Sequence, residues 1–191
     1  MSRLWLTVIL LLCWSSLVAC GGGGGDEQGA VGTPADGFTI TGSLFESEQN
    51  GYQVRFPEAW TPKPNFLPAS AMSVDAFFAP DVVDAIQPNI VITREGLPEG
   101  MGLQEYFDSK MDIVKKVVQV EPEVSSRQVS GKEALVGHYR RENAEPPLEK
   151  VEVYFIADGS GWGISLTMPL GRSADYQGLF EGFLQSFLVL R

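Results

Sequence analysis

The chain has 191 residues, with 14 Lys and Arg against 24 Asp and Glu and a formal net charge of −10 at pH 7. That acidic balance opposes binding to nucleic acid and to anionic headgroups, and no run of Lys or Arg offsets it, so nucleic acid is excluded as a partner. Two cysteines and one histidine leave little material for a disulfide framework or a Cys/His metal site.

Arg3 supplies one positive charge, and residues 4–18 are then almost wholly apolar, broken only by Thr7, Ser15 and Ser16. This is the pattern of a signal peptide, and it is too short for a comfortable transmembrane helix. The run ends in Leu17-Val18-Ala19-Cys20, with Gly21 next. Small residues ahead of a cysteine let a signal peptidase close on extended backbone, and the thiol can take a diacylglycerol as a thioether. The four residues resemble the bacterial lipobox, Leu-x-Ala-Cys. The resemblance implies removal of residues 1–19 and a lipid on Cys20. The competing reading is an ordinary secreted protein with Cys20 incidental; the coincidence of motif and apolar run favours the anchor. Cys13 leaves with the leader, so Cys20 would be the sole cysteine of the mature chain, with no intramolecular disulfide. One acyl chain binds a membrane marginally, whereas the two or three of a lipoprotein hold firmly.

Residues 20–37 follow as the lipidated cysteine and a Gly-rich tether with almost nothing to bury. As a flexible coil the tether spans about 20–25 Å, which keeps the domain near the bilayer. Some Gram-negative bacteria read an aspartate at the position of Gly21 as an inner-membrane retention signal, so glycine there favours the outer membrane. The expected location is the cell envelope, on the outer membrane or the extracytoplasmic face of the cell membrane.

Residues 38–191 form one candidate domain, long enough to bury roughly 68–70% of its unfolded surface. Alternation over 38–45 and over 52–56, where Tyr52, Val54 and Phe56 share a face, predicts a hairpin across Asn50-Gly51. Pro57 ends the second strand, and Trp60 opens a proline-studded loop reaching residue 69. Residues 72–78 alternate again, with Met72, Val74, Ala76 and Phe78 expected inward, and 89–93 read as a β-branched strand. After Gly102, the spacing of Leu103, Tyr106, Phe107, Met111, Val114, Val117 and Val118 predicts an amphipathic helix. Glu105 complements its N-terminus, Asp112 and Lys116 pair on its wet face, and Pro122 lies beyond its end. Strands at 124–129 and 134–139 turn at Ser130-Gly131-Lys132; strands at 151–156 and 162–168 turn at 158–161. Short polar turns imply antiparallel pairing. A last helix opens with Ser173 as N-cap and buries Tyr176, Leu179, Phe180, Phe183, Leu184 and Phe187. Gly178 and Gly182 either weaken it or let it sit close to the sheet. The fold class is α+β, an antiparallel β-sheet flanked by helices.

Several features then combine: the hairpin, Phe56-Pro57-x-x-Trp60, Leu97-Pro98-x-Gly100 before a helix, four successive strands, and a final helix ending Gln185-Ser186-Phe187. Together they resemble the PsbP-like α/β/α sandwich superfamily, which includes the DcrB-like bacterial lipoproteins. The resemblance spans 38–191 and rests on structural positions. It implies a fold whose members mostly bind other proteins, and it carries no functional site onto this sequence.

Enzyme chemistry finds few candidates. His138 lies between Val136 and Tyr139 in a predicted strand, a place for a structural histidine more than for a catalytic base. In Gly159-Ser160-Gly161-Trp162-Gly163 the serine is one place off the Gly-x-Ser-x-Gly nucleophile pattern, and the glycines suit a turn. Glu142, Glu145, Glu149 and Glu152 cluster about Pro146-Pro147, and Asp81 and Asp84 flank another loop; neither has an EF-hand spacing, and both read as solvated acidic surface. No phosphate loop, dinucleotide fingerprint or haem motif occurs, so no catalytic, cofactor or metal residue is assigned. Tyr52, Trp60, Phe66, Phe77 and Phe78 are the aromatic residues of interest for binding. Of these, Phe66, Phe77 and Phe78 form the candidate partner surface, because alternation sends one of the adjacent pair outward. Two functions stay open. One is a lipid-anchored, non-catalytic module that binds or scaffolds another envelope protein. The other is an envelope enzyme, or a carrier of a small ligand or divalent cation, that uses surface carboxylates.

Overall fold

Turn chemistry fixes the strand pairing. A computed structural model describes residues 42–68 and 72–190; Cys20, the tether and residues 38–41 of the first predicted strand lie outside these. The elements in order are β1 (Ser43–Ser47), β2 (Tyr52–Phe56), β3 (Thr61–Lys63), β4 (Ser73–Phe78), β5 (Asn89–Gly96), α1 (Leu103–Ile113), β6 (Glu123–Val129), β7 (Lys132–Arg141), β8 (Leu148–Ala157), β9 (Ser160–Pro169), α2 (Ser173–Ser186) and β10 (Leu188–Val189). A π-helical turn at Val114–Val118 continues α1. The large sheet runs β3-β4-β5-β9-β8-β7-β6 and the small one β1-β2-β10. All pairings are antiparallel.

The turns β6–β7 and β8–β9 are two residues long, with both central residues left-handed: φ 51° and 70° at Ser130 and Gly131, 48° and 70° at Asp158 and Gly159. This is the type I′ geometry whose twist matches that of paired strands. Ser160 therefore belongs to β9, opposite Ala157, and not to the turn. The first hairpin closes differently. Ser47 pairs with Tyr52 around a four-residue loop, in which the Gly51 N–H donates to the Ser47 carbonyl at 2.7 Å with Gly51 at φ 69°.

The two faces of the large sheet carry separate cores. On one, Phe77, Ile90, Ile92, Val153, Phe155, Trp162, Ile164 and Leu166 pack against Tyr52, Val54 and Phe56 of the small sheet and Phe180, Phe183 and Leu184 of α2. On the other, Phe107, Met111 and Val114 lie on Tyr139, with Leu135 and Tyr154 beside them. Two glycines admit that close approach: a Cβ on Gly137 would sit 2.6 Å from Met111 Sδ, and one on Gly161 would sit 2.6 Å from Tyr106 Cζ.

Four details differ from the sequence reading. β3 lies in the proline-studded segment, paired with β4 through Thr61, Pro62 and Lys63. In β4, Asp75 and Phe77 face the main core, while Val74 and Ala76 are buried on the opposite side; both faces of this strand are covered, so simple alternation misassigns it. Arg172, not Ser173, occupies the N-cap of α2, with no side-chain cap bond. The chain leaves α2 at Phe187 and adds β10 to β2.

Candidate binding face

Alternation along β4, β5, β8 and β9 sends a second row of side chains away from the main core: Ala76, Phe78, Asn89, Val91, Thr93, Lys150, Glu152, Tyr154, Ser165 and Thr167. α1 packs on the β7–β8 part of this row. Phe78, Asn89, Val91, Thr93, Ser165 and Thr167 remain half-exposed. The result is a shelf of small polar and apolar side chains beside the helix.

One side of the shelf is aromatic. The Phe66 and Phe78 rings lie 5.4 Å apart, tilted by 59°, and Lys63 Nζ sits 5.1 Å from the Phe78 centroid. The loop that carries Phe66 is held by two backbone donors. Phe66 N–H donates to the Val74 carbonyl at 2.7 Å, and Asn65 N–H, at a left-handed φ of 50°, donates to Asp75 Oδ1 at 2.8 Å. Asp75 is buried, and its other oxygen accepts from Tyr52 Oη at 2.7 Å and Asn50 Nδ2 at 2.8 Å. A single carboxylate thus ties the aromatic loop, the first hairpin and the core together. Burial, reinforced by that carboxylate, pushes the Tyr52 hydroxyl far above its ordinary range, so it stays a donor.

The other side is a polar seam under α1. Glu152 Oε1 accepts from Lys150 Nζ at 2.8 Å and Tyr139 Oη at 3.2 Å, and its Oε2 from Tyr154 Oη at 3.2 Å. Glu95 accepts from Tyr106 Oη at 3.0 Å and pairs with Lys110. Burial raises all three tyrosines well above their ordinary value, with the glutamates adding to the rise. Each donor in the seam has an acceptor within the fold, the pattern of a packed interface.

The remaining candidates are dispersed. His138 Nε2 contacts Glu149 Oε1 at 2.6 Å, and buried Glu149 also accepts from Gly171 N–H at 3.2 Å, so this pair fixes the loop before α2. Ser160 Oγ accepts from Arg94 Nε at 3.2 Å, and the Arg94 guanidinium lies 5.3 Å from the Trp162 ring. The acidic group about Pro146-Pro147 is not one surface. Glu142 and Glu145 are exposed, whereas Glu149 and Glu152 are buried on opposite faces of β8. Among the described residues, no three His, Cys, Asp or Glu side chains converge as a metal site. Asp84 instead pairs with Arg172 at 3.5 Å. Of the three candidate surface aromatics, Phe66 and Phe78 meet on the shelf. Phe77 is 0% exposed and leaves the candidate surface, because its row of β4 faces α2, where its ring lies 5.3 Å from that of Phe183. Tyr52 and Trp60 are likewise core residues.

Lys63, Asp75 and Glu95 escaped the sequence reading. Only Asp75 left a signal, as a charge in the middle of an otherwise apolar strand, Ser-Val-Asp-Ala-Phe-Phe.

No protein-family model and no curated protein matches the chain. Among solved structures, the PsbP protein of the cyanobacterium Synechocystis, CyanoP, superposes with a TM-score of 0.56 at 15% identity, covering 84% of this chain and 99% of its own. A protein from Bacteroides thetaiotaomicron gives a TM-score of 0.56 at 12% identity over 78% of this chain and 49% of its own. LpqN of Mycobacterium tuberculosis, described as involved in cell envelope biogenesis, gives 0.51 at 10% identity over 78% and 86%. At these identities the likeness is one of architecture, and the architecture is the PsbP-like α+β fold.

Proposed function

We propose that this protein is a non-catalytic binding module of the cell envelope, held to a membrane by a lipid on Cys20, that engages another envelope protein through the shelf around Phe66 and Phe78. The observation that carries the reading is the shelf: a half-exposed aromatic pair, Phe78 on β4 and Phe66 on the loop bonded to it, with Lys63 over the Phe78 ring and half-exposed Val91, Thr93, Ser165 and Thr167 alongside. Aromatic side chains, phenylalanine among them, are enriched at protein interfaces, where a few buried anchors carry most of the binding energy. Three further points support it. His138 and Ser160, the residues closest to a hydrolase set, are engaged by Glu149 and Arg94. No helix among the described residues is long and apolar enough to cross a membrane, which fits attachment through Cys20. LpqN, of the same architecture, is an envelope biogenesis protein.

The test is crosslinking of the full chain in bacterial membranes, with Phe78→Asp and Cys20→Ala in parallel. A partner protein should be recovered near stoichiometrically and lost with either substitution, while circular dichroism shows that Phe78→Asp still folds. If the protein comes down without a partner, or Phe78→Asp keeps the partner, the reading is wrong.

A further inference from the structure

Among the described residues, the large sheet ends in two strands that each have one side unpaired, β3 and β6. β3 has three residues and carries Pro62 and Lys63, devices by which natural sheets discourage strand addition. β6 has neither. It runs for seven residues, Glu-Val-Ser-Ser-Arg-Gln-Val, mostly exposed, and Val124 is 58% exposed.

The register shows which backbone groups are free. Val129 and Lys132 close the type I′ turn and exchange both hydrogen bonds, and bonding then alternates along the hairpin. Glu123, Ser125 and Arg127 therefore point their N–H and C=O toward β7. Val124, Ser126 and Gln128 point theirs outward, and among the described residues nothing pairs with them.

We propose that β6 is an interaction edge for a second copy of this chain, which adds antiparallel across a two-fold axis centred on Ser125. The reason is charge self-complementarity. Glu123 and Arg127 share a face and lie at equal distances either side of Ser125, so each Glu123 falls opposite Arg127 of the other copy. In that register Val124 of one copy and Ser126 of the other form hydrogen-bonded pairs from their outward groups. A pairing centred on Ser126 would set Arg127 against Ser125 and Glu123 against Val129, so neither charge would gain a partner across the axis. Arg127 is held in place by Glu181, to which Nη1 and Nη2 each donate at 2.8 Å, and its side chain stays partly exposed. A contact confined to one strand edge is small, below the roughly 1,200 Å² of stable complexes, so the dimer is weak and depends on local concentration.

The experiment uses the full chain in cells, with Ser125→Cys exposed to a mild oxidant and read on a non-reducing gel. Ser125 faces its own copy across the axis in a non-hydrogen-bonded pair, at a Cα separation of about 4.5 Å, within disulfide range. Val82→Cys, at a position 64% exposed elsewhere, and the wild-type chain set the background. Ser125→Cys should give a disulfide dimer well above both. Adding Ser126→Pro, which removes an outward N–H and spares the β6–β7 ladder, should cut the dimer by about tenfold or more, the loss of two hydrogen bonds, one from each copy. If Ser126→Pro lowers the melting temperature, Glu123→Arg replaces it, setting like charges across the axis from an exposed position. Crosslinking no faster than Val82→Cys, a dimer indifferent to both variants, or a predominant adduct with a different protein overturns the proposal.

Discussion

Replacing Asp75 with alanine strands three donors at once: Tyr52 Oη, Asn50 Nδ2 and Asn65 N–H, which reach its carboxylate at 2.7, 2.8 and 2.8 Å. A hydrogen bond to a charged group contributes about 1.5–3 kcal/mol net. The three do not add simply, because Tyr52 and Asn50 share one oxygen and the loop amide of Asn65 can turn to water. The buried pair sets the scale: at about 1–3 kcal/mol for each neutral donor left without an acceptor, Asp75→Ala should cost about 2–5 kcal/mol. That is a large part of the roughly 5–15 kcal/mol by which domains are stable. Urea unfolding followed by tryptophan fluorescence measures it, since the Trp162 ring lies 5.9 Å from Tyr52. A double-mutant cycle with Tyr52→Phe should return a coupling of about 1–3 kcal/mol. If Asp75→Ala costs less than about 1 kcal/mol, the carboxylate does not organise the aromatic loop, and the reasoning fails.

Three further outcomes follow from the packing. Gly161→Ala should destabilise by about 1–3 kcal/mol, since its Cβ would meet Tyr106 Cζ at 2.6 Å and Leu97 Cδ2 at 2.8 Å; Gly137→Ala should cost less, because Met111 Sδ is the end of a flexible chain. Thermal melts that rank the two the other way contradict this. Phe77→Ala should cost about 3–5 kcal/mol and Phe78→Ala far less, with only the second affecting partner capture; equal losses of stability would place both rings in the core. Burial raises Tyr52, Tyr106, Tyr139 and Tyr154 above the value of 10.0 that an unfolded chain shows. The folded state keeps these protons when the unfolded state releases them. Their contribution is therefore intact below about pH 10 and declines above it by about 1.4 kcal/mol per pH unit for each tyrosine. Urea midpoints that stay flat to pH 11 would show that the hydroxyls ionise freely in place.

Local rules made much of the fold legible. Ser130-Gly131 and Asp158-Gly159 name their turns, because glycine accepts the left-handed backbone that a two-residue hairpin demands. The stripe from Tyr106 through Met111 to Val114 marks α1 by period alone. What stayed hidden depends on long-range contact. β3 is three residues about a proline and forms only because β4 is there to pair with. β10 is two residues directly after a helix, stabilised by β2. Glu149 and Glu152 look like a solvated cluster until their partners are known, since a carboxylate is buried only where donors meet it, and those donors sit on β7, on β8 and in the loop before α2. The shelf was half legible. Alternation indicates that one of Phe77 and Phe78 turns outward, but which one depends on the side that α2 covers.

β10 joins β2 at the far end of the sequence: Leu188 pairs with Gln53, Val189 with Tyr52, Leu190 N–H donates to the Gly51 carbonyl at 2.8 Å, and Arg55 N–H donates to Ser186 Oγ at 2.9 Å. Such pairings pay a large loop-closure entropy before they return anything, so they form late and slow the folding of the whole domain. Without β10 the small sheet would be a two-stranded hairpin, and without Phe187 the Tyr52 ring would lose its stacked partner. The clasp therefore makes the domain reluctant to fold while incomplete.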